Sequence, residues 1–240
     1  MSANFEELDW RPTPIGTLSL RRRKELRSGD DIYEIKLGDE FLMSSQFTEG
    51  EIALARLGLE TLPGSGLDIV VGGLGLGYTA NAVLTDARVR SLIVVDALPE
   101  VIDWHGEGLL PFGARLSADP RCRLREGDFF RIVGDPSEGL DPEAPGKLFH
   151  AILVDIDHSP RSVLSPGNAA FYSPAGLGRL ADRLHPGGVF GLWSNDPPDD
   201  QFLAALSASF ARAKAEIIRF PDQHQNRIVS NTIYTAVKPS

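Results

Sequence analysis

Acids and glycines supply most of the chemical potential in this sequence. The segment Val71-Gly72-Gly73-Leu74-Gly75-Leu76-Gly77 follows an apolar run and opens a helical pattern. Glycines at such a junction let the chain turn sharply and let a ligand reach the backbone without a Cβ in the way. Asp96 ends the next apolar run, 19 residues beyond Gly77. That spacing suits an acid gripping ribose, because a carboxylate accepts two hydrogen bonds from a vicinal diol. Gly127-Asp128 closes a third run, where a carboxylate can accept from an exocyclic amino group of a base. Phe129 and Phe130 beside it could wall a nucleobase or belong to the core.

A second constellation lies in Leu153-Val154-Asp155-Ile156-Asp157-His158-Ser159-Pro160. If the strand stays extended, Asp155 and Asp157 share one side of it. Paired carboxylates at a strand tip can hold a cationic amine, and one of them can take its proton. His158 is a competing base by intrinsic pKa. Asp155, Asp157 and His158 lack a recognised metal-ligand spacing, so no metal is expected. Trp193-Ser194-Asn195-Asp196 is a candidate wall for an acceptor pocket, and Trp104 with His105 a candidate approach to the nucleoside. His150, His185 and His224 read as structural or exposed.

Alternating strands and helices must position these groups. Short apolar runs at 67–71, 91–95, 122–125, 149–156 and 189–193 read as buried parallel strands. Helical stretches fall near 77–86, 99–110, 172–184 and 200–213, and 134–147 reads as a surface loop. Segments 216–220 and 231–237 are joined only by a loop, so they must pair antiparallel at one edge. Ahead of this sheet, 15–43 reads as a small β-unit and 48–62 as a helix. The expected fold is α/β: a Rossmann-like, class I methyltransferase-type sheet of seven mostly parallel strands with an antiparallel C-terminal edge. The expected division is 1–46 for the β-unit and 47–240 for a nucleoside-binding domain. In open sheets of this kind ligands bind beyond the carboxyl ends of the strands.

Composition narrows the classes. The 240 residues are 42% hydrophobic and 24% charged, ordinary globular usage. A net charge of -9 argues against a nucleic-acid partner, which would demand clustered Lys and Arg. The one basic run, Arg21-Arg22-Arg23-Lys24, reads as the solvated face of a strand. A single cysteine, Cys122, rules out an intrachain disulfide. Met1 to Trp10 is acidic and unlike a signal peptide, and no apolar run reaches the ~20 residues that span a bilayer, so a cytoplasmic protein without a membrane partner is expected.

The glycine spacing alone is read two ways. Gly73, Gly75 and Gly77 give the every-second-residue pattern of methyltransferases, while Gly75-Leu76-Gly77-Tyr78-Thr79-Ala80 fits a dinucleotide fingerprint. Taken together, however, the motifs resemble the spermidine synthase (polyamine aminopropyltransferase) family and its bacterial relatives, from about residue 15 onward. The resemblance rests on Gln46 with Thr48, Gly72-Gly73, Asp96, Gly127-Asp128, Asp155, Phe171-Tyr172 and His185-Pro186-Gly187-Gly188. It implies that Gln46, Gly72, Gly73, Gly75, Gly77, Asp96 and Asp128 bind a sulfonium nucleoside, S-adenosylmethionine or its decarboxylated form. It implies Asp155 as the general base toward a small amine acceptor, and a homodimer built on the β-unit. Aminopropyl transfer is the first expectation. Methyl transfer to a small molecule and a non-catalytic nucleoside-binding protein are the alternatives. The sequence departs from the family in three places. Gly75 stands where the family's loop acid is expected, its Tyr-His-Glu is absent around Glu51-Ile52-Ala53-Leu54, and its Asp-Ser-x-Asp-Pro becomes Asp155-Ile156-Asp157-His158-Ser159.

Overall fold

The computed structural model describes residues 5–13, 16–222 and 227–240. His224 and Met1 to Asn4 lie outside the described residues. Two sheets organise the chain. The first is an antiparallel meander of β1 (Phe5–Thr13), β2 (Gly16–Lys24), β3 (Asp31–Leu37) and β4 (Glu40–Ser44). The second has seven strands: β5 (Leu67–Gly72), β6 (Val89–Asp96), β7 (Cys122–Glu126), β8 (Phe149–Val154), β9 (Leu184–Ser194), β10 (Arg212–Asp222) and β11 (Arg227–Val237). Their order is β10-β11-β9-β8-β5-β6-β7. Strand β11 runs antiparallel between β9 and β10, and the pairs from β9 through β7 are parallel, so the class I methyltransferase-type sheet is present.

Strand β5 is buried along its whole length, as a central parallel strand covered on both faces must be. Its alternating residues feed two cores. Ile69 and Val71, with Leu92, Val94 and Leu153, pack beneath α1 (Glu49–Glu60), α2 (Tyr78–Leu84), α3 (Pro99–Gly106) and α4 (Gly113–Ala118). Val70, Ile93, Ile152 and Val154 pack beneath α5 (Phe129–Gly134), α6 (Pro174–Ala181) and α7 (Asp200–Ser207).

Several expectations shift. The N-terminal unit has a further strand, β1, whose mostly exposed Phe5–Thr13 carries no apolar alternation to betray it. It is held instead by charge across the pair. Arg21 meets Glu7 at 3.6 Å and Arg22 meets Glu6 at 2.5 Å, while Arg23 and Lys24 pair with Glu34 and Asp31 at 2.8 and 2.9 Å. The basic run is thus laced with ion pairs to both neighbouring strands. The expected helix at 99–110 is two, α3 and α4, parted by a turn at 107–112. Residues 129–134 form a short helix, α5, because Asp128 caps it by accepting the Arg131 N–H at 3.1 Å. Phe129 is core: it is 2% exposed, and its ring lies 2.9 Å from where a Cβ on Gly72 would stand.

Candidate active site

The carboxyl ends of β5, β6, β7 and β8 form one rim. The glycine loop opens it, with Gly73 N–H on the Val95 carbonyl and Asp155 N–H on the Gly72 carbonyl. Gly73 has φ +96, and a Cβ there would lie 2.1 Å from the Asp155 carbonyl oxygen, so no side chain fits between loop and strand tip. Asp96 sits on this rim and braces the loop: its carboxylate accepts from Leu74 N–H at 2.8 Å and Leu98 N–H at 2.9 Å. Burial raises its pKa against those hydrogen bonds. An ionised carboxylate offers about four lone-pair positions, so Asp96 retains acceptor capacity for a diol. Asp128 lies at the tip of the adjacent strand, exposed, with one oxygen capping α5.

Asp155 holds the centre. Its carboxylate accepts the Thr79 hydroxyl of α2 at 2.7 Å. Burial pushes it up to about 6, an effect that the Thr79 bond opposes. Opposite it stands Glu51, 6% exposed, on the first turn of α1. Burial, then the neighbouring Asp155 carboxylate, push Glu51 up to about 8. Among the described residues no Arg, Lys or His forms an ion pair with either acid. Gly50 brings Glu51 this deep, since a Cβ there would lie 2.4 Å from Trp193 Nε1 and 2.6 Å from Asn231 Oδ1. The α1 N-terminus thereby packs onto β9 and β11. A buried and a half-buried carboxyl with no counter-cation form a site suited to a cationic ligand.

Glu51 was missed by sequence reasoning, although a signal existed. Glu51, Leu54, Ala55 and Gly58 recur on one helical stripe, and the other three are buried, so the acid had to face inward with them.

The remaining sequence candidates are dispersed. Asp157 does not share a side with Asp155, because β8 ends at Val154 and extension does not persist. It is 1% exposed and spent on a clasp, accepting from Leu164 N–H at 2.7 Å, Asn168 Nδ2 at 2.9 Å and Tyr172 Oη at 2.8 Å. That clasp folds the 157–172 loop onto the α5–α6 face, opposite α1 and α2, and burial beside Asp157 drives the Tyr172 phenol well above its ordinary pKa. His158 turns to the β-unit, where its Nε2 meets Glu40 Oε1 at 3.1 Å. Gln46 is engaged through Oε1 by the Arg23 guanidinium at 2.7 Å.

Gly75 has φ +46, and a Cβ there would lie 2.6 Å from Met43 Sδ, the β4 sulfur that accepts the Leu76 N–H at 3.1 Å. His105, fully buried, holds the Gly75 carbonyl through Nε2 at 2.9 Å, and Gly77 completes the loop as the left-handed N-cap of α2. Trp104 faces away, donating to Asp9 Oδ2 at 2.6 Å. The rings of His150 and His185 lie 4.6 Å apart, tilted by 46°, and His150 Nδ1 accepts from Asp68 N–H at the opposite end of the sheet. Ser194 and Asp196 line a cleft of about 420 Å³ with Arg161 and Tyr234. Trp193, the residue before them, points to the other face, against Gly50. That cleft contains neither Asp155 nor Glu51.

Among the described residues no group of His, Cys, Asp and Glu is arranged to hold a metal, and no helix is long and apolar enough to cross a membrane. The sheet order and the loaded strand tips define a methyltransferase-type α/β fold. Within that class the chain is similar to spermidine synthases. It superposes on the spermidine synthase from Thermotoga maritima with a TM-score of 0.69 at 15% identity, covering 97% of this chain and 72% of that one. It also superposes on a spermidine synthase in complex with the transition state analogue AdoDATO, with a TM-score of 0.71 at 16% identity, covering 97% and 73%. In sequence it is 28% identical over 153 residues to Polyamine aminopropyltransferase 2 of Pseudomonas aeruginosa. That match covers 60% of this chain and 40% of the relative's length. No family model matches the chain.

Proposed function

We propose that this protein is an aminopropyltransferase-type enzyme, moving an alkyl group from decarboxylated S-adenosylmethionine to a small amine. The observation that carries this reading is the Glu51–Asp155 pair, a buried acid interacting with a half-buried one, with no cation of their own among the described residues. Both the donor's tail ammonium and an amine acceptor are cations that such a pair attracts. An intact amino-acid tail would bring a carboxylate, which the pair repels. Residues 47–240 supply the nucleoside-binding unit, and residues 1–46 wall it through Met43 and Glu40.

The nucleoside fits the residues present. Asp96 takes the ribose diol, Asp128 the base amino group, and Gly72, Gly73, Gly75 and Gly77 leave room for the sugar against the backbone. Gln46 accepts from Arg23 through Oε1, which leaves its amide NH2 as a donor toward the nucleoside. Asp155 then acts as general base. Its carboxylate takes a proton from the acceptor ammonium, and the freed nitrogen lone pair attacks the sulfonium-bound carbon. The N–C bond forms as the C–S bond breaks, and its electron pair returns to sulfur, leaving a neutral thioether. A base with a pKa raised toward neutrality suits this proton transfer, and alignment of the two reactants supplies much of the rate.

The test is Asp155→Asn assayed with decarboxylated S-adenosylmethionine and a panel of diamines. Turnover is expected to fall by about 10²–10⁴-fold while nucleoside binding stays within a few-fold. Turnover that survives within a few-fold removes Asp155 as the base.

A further inference from the structure

We infer that Glu51, reaching in from α1, is the specificity-determining residue that holds the donor's tail ammonium, a task for which the glycine loop of this chain carries no acid. The inference rests on the nucleoside-transfer reading above. Two independent geometric observations support it.

First, the loop from Gly72 to Gly77 carries no acid, and a side chain at Gly75 is disfavoured. A Cβ at that position would lie 2.6 Å from Met43 Sδ, and the backbone there is left-handed at φ +46. The sulfur itself is fixed by the Leu76 N–H. The loop therefore contributes only backbone, and the β-unit's methionine fills the space beside it. Second, α1 is driven in from the opposite wall. Gly50 lets the helix N-terminus press against Trp193 and Asn231, and the next residue, Glu51, is thereby buried within electrostatic reach of Asp155. The loop thus presents no acid toward the rim, and α1 presents one.

The roles then divide. Thr79 donates to Asp155 and favours its ionised form, which suits a proton acceptor. Glu51 has no such side-chain donor. The titratable groups facing it are Asp155 on the β8 tip, Glu49 on its own helix and Tyr78 on α2, all neutral or acidic. At neutral pH the pair retains a proton in the free protein. An ammonium placed between the two acids replaces that proton, so binding of a cationic tail releases it.

The experiment is calorimetric binding of two adenosine ligands to wild type, Glu51→Gln and Glu51→Asp, in two buffers of different ionisation enthalpy. The ligands are decarboxylated S-adenosylmethionine, whose tail is cationic, and 5′-methylthioadenosine, whose tail is a neutral thioether. Wild type is expected to release about one proton with the first ligand and none with the second. Glu51→Gln is expected to lose about tenfold or more in affinity for the cationic ligand only, and to abolish the proton release. Glu51→Asp is expected to keep part of both. Equal losses for both ligands, or an unchanged preference with proton release intact, overturn the inference. Failure of the wild type to bind either ligand overturns the nucleoside reading itself, a separate outcome.

Discussion

Glu51 also makes a prediction about stability that needs no ligand. In Glu51→Gln the charge is removed while the volume and the α1 packing are kept. Native Glu51 is raised from 4.5 to about 8, with burial as the larger cause and Asp155 as the second. The folded protein thus holds this proton more tightly than the unfolded chain does. Its favourable contribution is fully present below pH 4.5 and is lost as pH rises through about 8. At about 1.4 kcal/mol per pH unit, the wild type forfeits on the order of 5 kcal/mol across that window. Glutamine carries no charge, so the variant escapes this loss, but it buries an amide at a cost of about 1–2 kcal/mol. Glu51→Gln should therefore be slightly less stable than wild type at pH 5 and about 3–4 kcal/mol more stable at pH 9. Urea unfolding followed by circular dichroism at each pH measures this, as a midpoint difference that changes sign across the series. With a slope of about 2–3 kcal/mol per molar urea, the crossover spans more than about 1 M. Midpoints of the two proteins that run parallel from pH 5 to 9 would refute the idea that Glu51 is buried beside an ionising partner.

Other expectations follow from the same geometry. Asp157→Asn breaks up the Leu164, Asn168 and Tyr172 clasp, and should destabilise the fold by about 2–3 kcal/mol in thermal melts while leaving the pH dependence of turnover in place. A shift of the pH profile instead would return Asp157 to the catalytic set. Gly75→Ala should cost about 1–3 kcal/mol, from the left-handed backbone and the Met43 contact. A double-mutant cycle with Met43→Ala should recover about 1 kcal/mol, and strict additivity would show that the sulfur is not the obstacle. Asp96→Asn should weaken binding of 5′-methylthioadenosine by about tenfold or more, read by calorimetry, since the amide forfeits a charged acceptor for the diol. Unchanged affinity would confine Asp96 to bracing the loop.

The sequence by itself determined what is local. Apolar runs flowing into glycines mark β5 and the loop after it, because a strand covered on both faces needs no polar alternation and a tight turn needs no side chain. Asp96, Asp128 and Asp155 were legible because each follows such a run, and parallel strands deliver their ends to one rim. The antiparallel edge was legible because 216–220 and 231–237 have no crossover helix between them. Contacts made across distance escaped it. Strand β1 has too little apolar patterning to be seen and exists through its partners on β2. Asp157 bonds Tyr172 and Gln46 bonds Arg23, and no spacing rule foretells which partner reaches a side chain first. Glu51 and Asp155 lie more than a hundred positions apart. Only the docking of α1 against β9 and β11, permitted by the missing Cβ of Gly50, decides that the two acids interact.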